Sequence, residues 1–180
     1  MSEPLEFAVT LYPEPVLRKT AEVVTAFDDE LEETVEAMYR LMFESQGVGL
    51  AAPQVSIRRR ILVMNEEGDK EKPELNLALI NPKIVERTGD KILMEEGCLS
   101  FPGIFAEIAR PEDCVVEAVD LKGQPLRLEM TGFLSRVLQH EYDHLEGVLL
   151  VDRMSPADRL RNKVALQEMI EDYKERQAQI

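Results

Sequence analysis

The chain has 180 residues, with 35 acidic side chains against 21 basic ones and a net charge of −14. This length fits one domain over residues 1–180 better than two domains of marginal size. A hydrophobic content of 44% excludes disordered and low-complexity classes, and the negative charge disfavours direct binding to nucleic acid or to an anionic membrane surface. No apolar run is long enough to span a bilayer and the amino terminus lacks a signal-peptide pattern, so we expect a cytoplasmic protein with no membrane partner.

Short apolar segments and amphipathic segments follow one another along the chain and predict an α+β fold. Asp28 is a candidate cap for a first helix that reaches about Ser45, and a second helix over 133–146 is stopped by Gly147. A last helix begins at Ser155 and runs almost to the carboxyl terminus. The predicted strands are 7–12, 61–64, 79–88, 104–109, 114–121 and 126–130. We therefore expect small antiparallel or mixed sheets packed around a central helix, with one helix near each end of the chain.

The only two histidines, His140 and His144, lie four residues apart in the sequence His-Glu-x-x-His. In a helix this spacing puts both imidazoles on one face, where they can hold one metal ion. Glu141 lies about 100° further around the same helix and adjoins both histidines. We therefore interpret the predicted central helix as a metal-binding helix. Two core histidines that are satisfied by hydrogen bonds are the alternative.

A catalytic metal site usually has three protein ligands, so a third ligand has to come from elsewhere in the chain. Cys98 is the best candidate, because it follows Gly97 in a turn that can present a thiolate, a strong ligand for divalent iron, zinc, cobalt or nickel. A lone cysteine is more often a small core residue, and the residues alone leave that alternative open. Two glycines in segment 47–54 permit close approach of an extended ligand, although an ordinary helix-to-strand connection fits that segment equally well.

Three segments together carry a resemblance to a known family: 47–54 (GVGLAAPQ), 96–100 (EGCLS) and 139–145 (QHEYDHL). In their order and spacing they resemble the three signature motifs of the peptide deformylase family. The resemblance implies a metal-dependent hydrolase that removes the formyl group from the N-formylmethionine of newly synthesised polypeptides and releases formate. It extends from about Leu17 to about Met154.

The resemblance assigns the metal site and its base. It implies one divalent metal ion held by Cys98, His140 and His144, which is usually Fe²⁺ in the family, with Zn²⁺, Ni²⁺ or Co²⁺ as substitutes. The resemblance further implies that water bound to such a metal would attack the formyl carbon. Glu141 is the implied general base, which takes a proton from the water and delivers it to the leaving amine.

The resemblance also assigns residues around the reacting carbonyl. The amide of Gln54 and the backbone N–H of Leu99 are the implied donors to the oxyanion that forms during attack. Asp143 is expected to pair with Arg110, as at the matching positions of the family. The residues implied to bind the substrate and its methionine side chain are Val48, Gly49, Leu134, Val137 and Leu138.

Formylated nascent chains are the implied partner, and a locally basic stretch near the carboxyl terminus suggests a weak contact with the ribosome. The basic side chains there are Arg153, Arg159, Arg161 and Lys163. A solvated helix face explains the same charges. Two other function classes use the same metal helix: a metal-dependent peptidase and a catalytically silent metal-binding protein. New amino termini inside a peptide would identify the first, and loss of Glu141 or of a ligand is expected in the second.

Overall fold

The structure, a computed structural model, describes residues 5–179. Its strands are β1 (Gly49–Ala51), β2 (Ile61–Met64), β3 (Leu77–Cys98), β4 (Phe101–Val119) and β5 (Pro125–Met130). Its helices are α1 (Asp29–Glu44), α2 (Gly132–Leu145), α3 (Leu150–Arg153), α4 (Pro156–Arg161) and α5 (Lys163–Ala178). The strands form one antiparallel sheet in the order β1-β2-β3-β4-β5. The predicted α+β class is confirmed, and the strands of the described chain join in one continuous sheet.

The first helix begins where the sequence predicts it. The carboxylate of Asp28 accepts a hydrogen bond from the Leu31 N–H at 3.1 Å. This bond satisfies one of the donors that a helix start leaves unpaired. Leu31, Val35, Met38 and Met42 then recur on one face of α1 and pack in the core. The capping residue and the apolar stripe together fix the position of α1 against the sheet.

The short strand β2 lies in the middle of the core, and its four residues are fully buried. Leu62 and Met64 belong to the apolar cluster that includes α2, whereas Ile61 and Val63 belong to the cluster that includes α1. Alternate residues of a strand point to opposite faces of the sheet. The continuous apolar run of β2 therefore reflects a helix on each side, and α2 is held against one face of the sheet.

Strands β3 and β4 are longer than the segments that the sequence predicts. The predicted strand 79–88 is part of β3, and the predicted strand 104–109 is joined to residues 114–119 of the predicted strand 114–121 in β4 in spite of Pro111. Pro111 pairs with Lys91 beside a shift in the strand register. Such irregularities tolerate proline, which lacks an N–H for the ladder.

The predicted strand 7–12 is wrong, because this segment has no regular secondary structure. Its N–H groups bond to two different parts of the chain, with Thr10 donating to the Gln54 carbonyl at 2.7 Å and Tyr12 donating to the Ser100 carbonyl at 3.0 Å. Single bonds to separate partners do not build a ladder. The segment is instead hydrogen-bonded to two of the motif segments, 47–54 and 96–100.

The predicted last helix begins as expected but is interrupted. Ser155 caps it, since its Oγ accepts a hydrogen bond from the Asp158 N–H at 3.1 Å. The interruption lies at Asn162, whose side-chain amide donates to the Phe105 carbonyl at 2.9 Å and separates α4 from α5. Asparagine competes with helical hydrogen bonding in this way. Within residues 5–179, none of the helices combines the length and the apolar character needed to cross a bilayer.

Gly147 follows α2 at a place that admits no side chain. Its φ is +71°, and an added Cβ would lie 2.5 Å from the Arg18 carbonyl oxygen. We expect Gly147→Ala to lower the free energy of unfolding by about 3 kcal/mol, because a left-handed residue costs roughly 1–2 kcal/mol and overpacking roughly 1–3 kcal/mol. The control is Gly103→Ala, where φ is +75° but an added Cβ meets nothing within 4 Å. Denaturant unfolding measures both variants, and equal losses would contradict the role of crowding at Gly147.

Candidate active site

Three potential metal ligands from two elements of the fold converge at one point. Cys98 ends β3, whereas His140 and His144 lie one turn apart on α2. One ligand atom from each residue lies within 4.8 Å of the others. The Cys98 Sγ is 3.3 Å from Nε2 of His144, and the centroids of the imidazole rings are 5.2 Å apart. The fold therefore brings the three predicted ligands together.

Glu96 orients one of these ligands, a role that its position in the sequence does not indicate. Its Oε2 is 3.0 Å from Nδ1 of His140, which leaves the other ring nitrogen for a metal. Arg110 donates to both carboxylate oxygens at 2.7 and 2.9 Å, and Arg136 donates to Oε1 at 2.7 Å. Burial opposes ionisation of Glu96, but the hydrogen bonds from His140 and Arg110 outweigh it and lower the pKa to about 2. The carboxylate is therefore ionised.

The network of charges continues from this carboxylate to the next turn of α2. Arg110 also donates to Asp143 at 2.9 Å, as the sequence analysis expected. Arg153 in α3 donates to the same aspartate at 2.6 Å. Buried charges need such partners, because an unpaired charge in the interior is costly. The pairs fix α2 against β4 and α3.

Glu141 is buried beside the ligands, and Gly49 leaves the space for it. An added Cβ on Gly49 would lie 2.7 Å from Oε1 of Glu141, so a larger residue would displace the carboxylate. Its other oxygen, Oε2, has no hydrogen-bond partner within residues 5–179. Burial raises the pKa of Glu141 to about 7, while His140 and Arg110 act in the opposite direction. A buried carboxylate with an unused oxygen is suited to exchanging protons with a bound molecule.

The amide of Gln54 has a defined orientation. Its Oε1 accepts a hydrogen bond from the Ala51 N–H at 2.9 Å. Because that backbone group can only donate, the Nε2 end faces the ligands, 3.6 Å from the Cys98 Sγ and 3.2 Å from the Ser100 Oγ. Leu99 follows the cysteine and also lines the cleft. Gln54 and Leu99 are therefore both adjacent to the predicted metal position.

The electrostatics of the two imidazole ligands suit a cation. Burial lowers the pKa of His140, but its hydrogen bonds with Cys98 and Glu96 raise that pKa well above its usual value. The surroundings thus stabilise positive charge at this point. Burial lowers the pKa of His144 well below its usual value and keeps this ring neutral, as a metal ligand must be. One sulfur and two imidazole nitrogens are a donor set for divalent iron, zinc, cobalt or nickel, so the residues fit such an ion.

A cleft of about 490 Å³ lies over these residues, and three of the five predicted substrate-binding residues line it: Val48, Gly49 and Val137. The other two, Leu134 and Leu138, are not brought to it and instead pack in the core cluster between α2 and the sheet. The helical period explains this correction. Residues three, four and seven positions before His140 share its face, whereas Leu138 and Leu134 lie two and six positions before it.

The same helical period identifies two further lining residues of α2 that were not among the predicted site residues. Arg136 and Phe133 precede His140 by four and seven positions, and both line the cleft. On the opposite wall the ring of Phe105 lies against Gly97, where an added Cβ would be 2.8 Å from the ring. Both phenylalanine side chains are about half exposed. The cleft therefore has an apolar mouth and a polar floor.

Comparison with known proteins gives a consistent result. A model of the polypeptide deformylase family matches residues 7–160. A peptide deformylase from Thermotoga sp. (strain RQ2) is 46% identical over 154 residues, which make up 86% of this chain and 90% of that protein. The structure is similar to a peptide deformylase from Plasmodium falciparum, with a TM-score of 0.90, 43% identity, and coverage of 93% of this chain and 97% of that chain. It is also similar to the Thermotoga maritima peptide deformylase, with a TM-score of 0.79, 43% identity, and coverage of 84% and 99%.

The position of Glu96 leads to a test of the metal site. We expect Glu96→Gln to weaken metal binding by about 10- to 100-fold, because the residue behind a ligating imidazole fixes its orientation and basicity. Glu95→Gln is the matched control, since this neighbouring carboxylate is exposed. Competition with a chromogenic chelator measures both affinities. An affinity equal to that of the parent protein in Glu96→Gln would contradict the orienting role.

Proposed function

Because the chain belongs to the polypeptide deformylase family, it is an enzyme that removes the amino-terminal formyl group of new polypeptides, and we propose that the residues of the cleft carry out this reaction. The substrate is a chain that begins with N-formylmethionine, and the products are formate and a free amine. The observation that carries the proposal is the convergence of Cys98, His140 and His144 beside the buried carboxylate of Glu141.

The family is metal-dependent, and Cys98, His140 and His144 would hold the metal. A divalent ion there would polarise the formyl carbonyl and lower the pKa of water. We propose that the ion is Fe²⁺, with Zn²⁺, Ni²⁺ or Co²⁺ able to replace it, since a thiolate with two imidazoles suits all of them. Metal analysis of protein purified without oxygen decides between them, and zinc in place of iron would contradict the assignment.

Glu141 is the proposed general base and acid. It takes a proton from the water that attacks the formyl carbon and then delivers this proton to the leaving amine, so one carboxylate serves both steps. The proposal is supported by its burial beside the ligands and by the unused hydrogen-bonding capacity of its Oε2. Its contact with Gly49 limits the positions that the carboxylate can adopt.

Gln54 and Leu99 are the proposed donors to the oxyanion. The hydrogen bond from Ala51 holds the amide of Gln54 with its N–H groups toward the ligands before any substrate binds. Donors fixed in advance stabilise a developing charge without the cost of reorganisation. The backbone N–H of Leu99 would complete the pair, and its place in the cleft directly after Cys98 supports this role.

The methionine side chain of the substrate is proposed to pack against Val48 and Val137 in the cleft, with Gly49 leaving room for the substrate backbone. Phe133 belongs to the same wall, and its half-exposed ring adds apolar surface to it. Leu134 and Leu138 take no part in this proposal, because they pack in the core. Burial of an apolar side chain in such a cleft contributes roughly 1.5–3 kcal/mol.

Replacement of the base tests the proposed mechanism. We expect Glu141→Gln to lower the rate of formate release from an N-formylmethionyl tripeptide by about 10²- to 10⁴-fold, because the amide cannot accept the proton. Its metal content should equal that of the parent protein. Glu129→Gln makes the same chemical change on the exposed surface of β5 and should leave the rate unchanged.

Formate release by Glu141→Gln within tenfold of the parent would refute its role as the base. No formate release by the metal-loaded parent protein would instead refute the proposed use of this cleft. The same peptide also tests the peptidase alternative, because cleavage inside the chain would produce new amino termini.

We also propose that the carboxyl-terminal helices contact the ribosome, where formylated chains emerge. This contact would place the enzyme in the cytoplasm. The basic stretch gives this less support than its sequence suggests, because Arg153 and Arg161 are already held in ion pairs. Leu160 and Val164, however, are 73% and 70% exposed. We propose this exposed apolar pair, beside Arg159 and Lys163, as the contact surface.

Co-sedimentation with purified bacterial ribosomes tests this contact. We expect the double variant Leu160→Ser/Val164→Ser to lose most of the ribosome-bound fraction, because it removes the exposed apolar surface. The control is Val23→Ser, an apolar position of similar exposure, 64%, far away along the sequence. Formate release from a tripeptide should be unchanged in both. Equal sedimentation of the double variant and the parent protein would remove the ribosome from the proposal.

A further inference from the structure

The metal ligands come from two elements that have to be held in register with each other. The two histidines lie on α2, whereas Cys98 lies where β3 turns back into β4. Beyond the point where β5 pairs with Cys114–Val119, β3 and β4 have only each other as strand partners within the described chain. We call residues 88–98 and 101–113 the ribbon. A two-stranded ribbon is marginally stable alone, so contacts from outside have to fix it.

Arg136 provides such contacts from α2, one turn before His140. Its side chain is buried, at 7% exposure. The guanidinium donates to the Ile92 carbonyl at 2.6 Å, to the Ile108 carbonyl at 2.9 Å and to the carboxylate of Glu96 at 2.7 Å. These bonds reach both strands of the ribbon from a single side chain. A planar guanidinium with five donors is suited to hold several acceptors in a fixed arrangement.

The other polar contacts between α2 and the ribbon lie further along the helix. Gln139 donates to the Pro111 carbonyl at 2.9 Å, and Asp143 accepts from Arg110 at 2.9 Å. Both join α2 to β4. Arg136 also bonds to the β3 backbone, in the strand that ends at Cys98. Its loss would remove the hydrogen bond that α2 makes to the β3 backbone at the Ile92 carbonyl. It would leave only the side-chain contacts of His140 with Glu96 and of His144 with Cys98 as polar contacts between the helix and the ligand-bearing strand in the described chain.

We propose that Arg136 is a positioning residue: it fastens the ribbon to α2 and thereby fixes the sulfur of Cys98 relative to the imidazoles of His140 and His144. The inference rests on the proposed function, because it concerns the same metal site. It goes beyond the ligands themselves by assigning their spacing to a residue that touches none of the three ligand atoms.

The test compares two arginine variants in full-length protein loaded with Co²⁺. Arg136→Met keeps a long side chain but removes every donor. Arg153→Met is the matched control, because it removes the same charge from the same network but contacts Asp143 and not the ribbon. Three readouts are used: Co²⁺ affinity, the thiolate-to-cobalt absorption band, and amide hydrogen exchange in the ribbon.

We expect Arg136→Met to bind Co²⁺ about 10- to 100-fold more weakly, with a weaker thiolate band and faster exchange in residues 88–98. Arg153→Met should stay close to the parent protein in all three. Parent-like values in Arg136→Met would overturn the proposal. Equal defects in both variants would also overturn it, because they would assign the effect to the charge of the network.

Arg136→Lys provides a second test if Arg136→Met folds poorly. It keeps the charge, but a single ammonium group cannot reproduce the three bonds of the planar guanidinium. We expect the same three defects, each of smaller magnitude. Parent-like values would show that charge alone is sufficient and would refute the proposal. Neither affinity nor exchange requires deformylation, so failure of this inference is distinguishable from failure of the proposed function, which formate release tests separately.

Discussion

A single buried carboxylate, that of Glu96, holds the site together. Its oxygens accept hydrogen bonds from Arg110 on β4 and from Arg136 and His140 on successive turns of α2. A buried anion without partners is strongly unfavourable, so these donors and the carboxylate have to be in place together. The carboxylate therefore joins β3, β4 and α2 in one arrangement. That arrangement brings Cys98 to the two histidines.

The charged network orients side chains more than it stabilises the fold. Desolvation offsets much of the attraction in buried ion pairs, and apolar replacements are often as stable. The alternating charges run from Arg136 through Glu96, Arg110 and Asp143 to Arg153. Apolar side chains could fill the same volume, but they could not accept a hydrogen bond from Nδ1 of His140 and so leave its other nitrogen for a metal. The part of the network around Glu96 therefore serves to orient a metal ligand.

The residues nearest the chemistry were predictable because their relation is local. His140, Glu141 and His144 occupy adjoining positions on one helix, and helical geometry alone places them together. The same geometry excludes Leu134 and Leu138 from the cleft, because they lie on another face of the helix. The α+β class followed from the pattern of segments, whereas the single domain over 1–180 stays a prediction. The third ligand, Cys98, was a candidate from its place after Gly97, but only the resemblance assigned it, because no period in the sequence links it to the histidines.

Contacts between distant segments are the part that the sequence does not reveal. Glu96 lies 44 positions from His140 and 40 from Arg136, and no period links residues so far apart. The break at Asn162 depends in the same way on a carbonyl 57 positions away. Short motifs therefore supply the reacting groups, and charge contacts between distant segments determine how the motifs are oriented. A chain that retained all three motifs but lost the arginines around Glu96 would keep every ligand and still misplace the sulfur of Cys98.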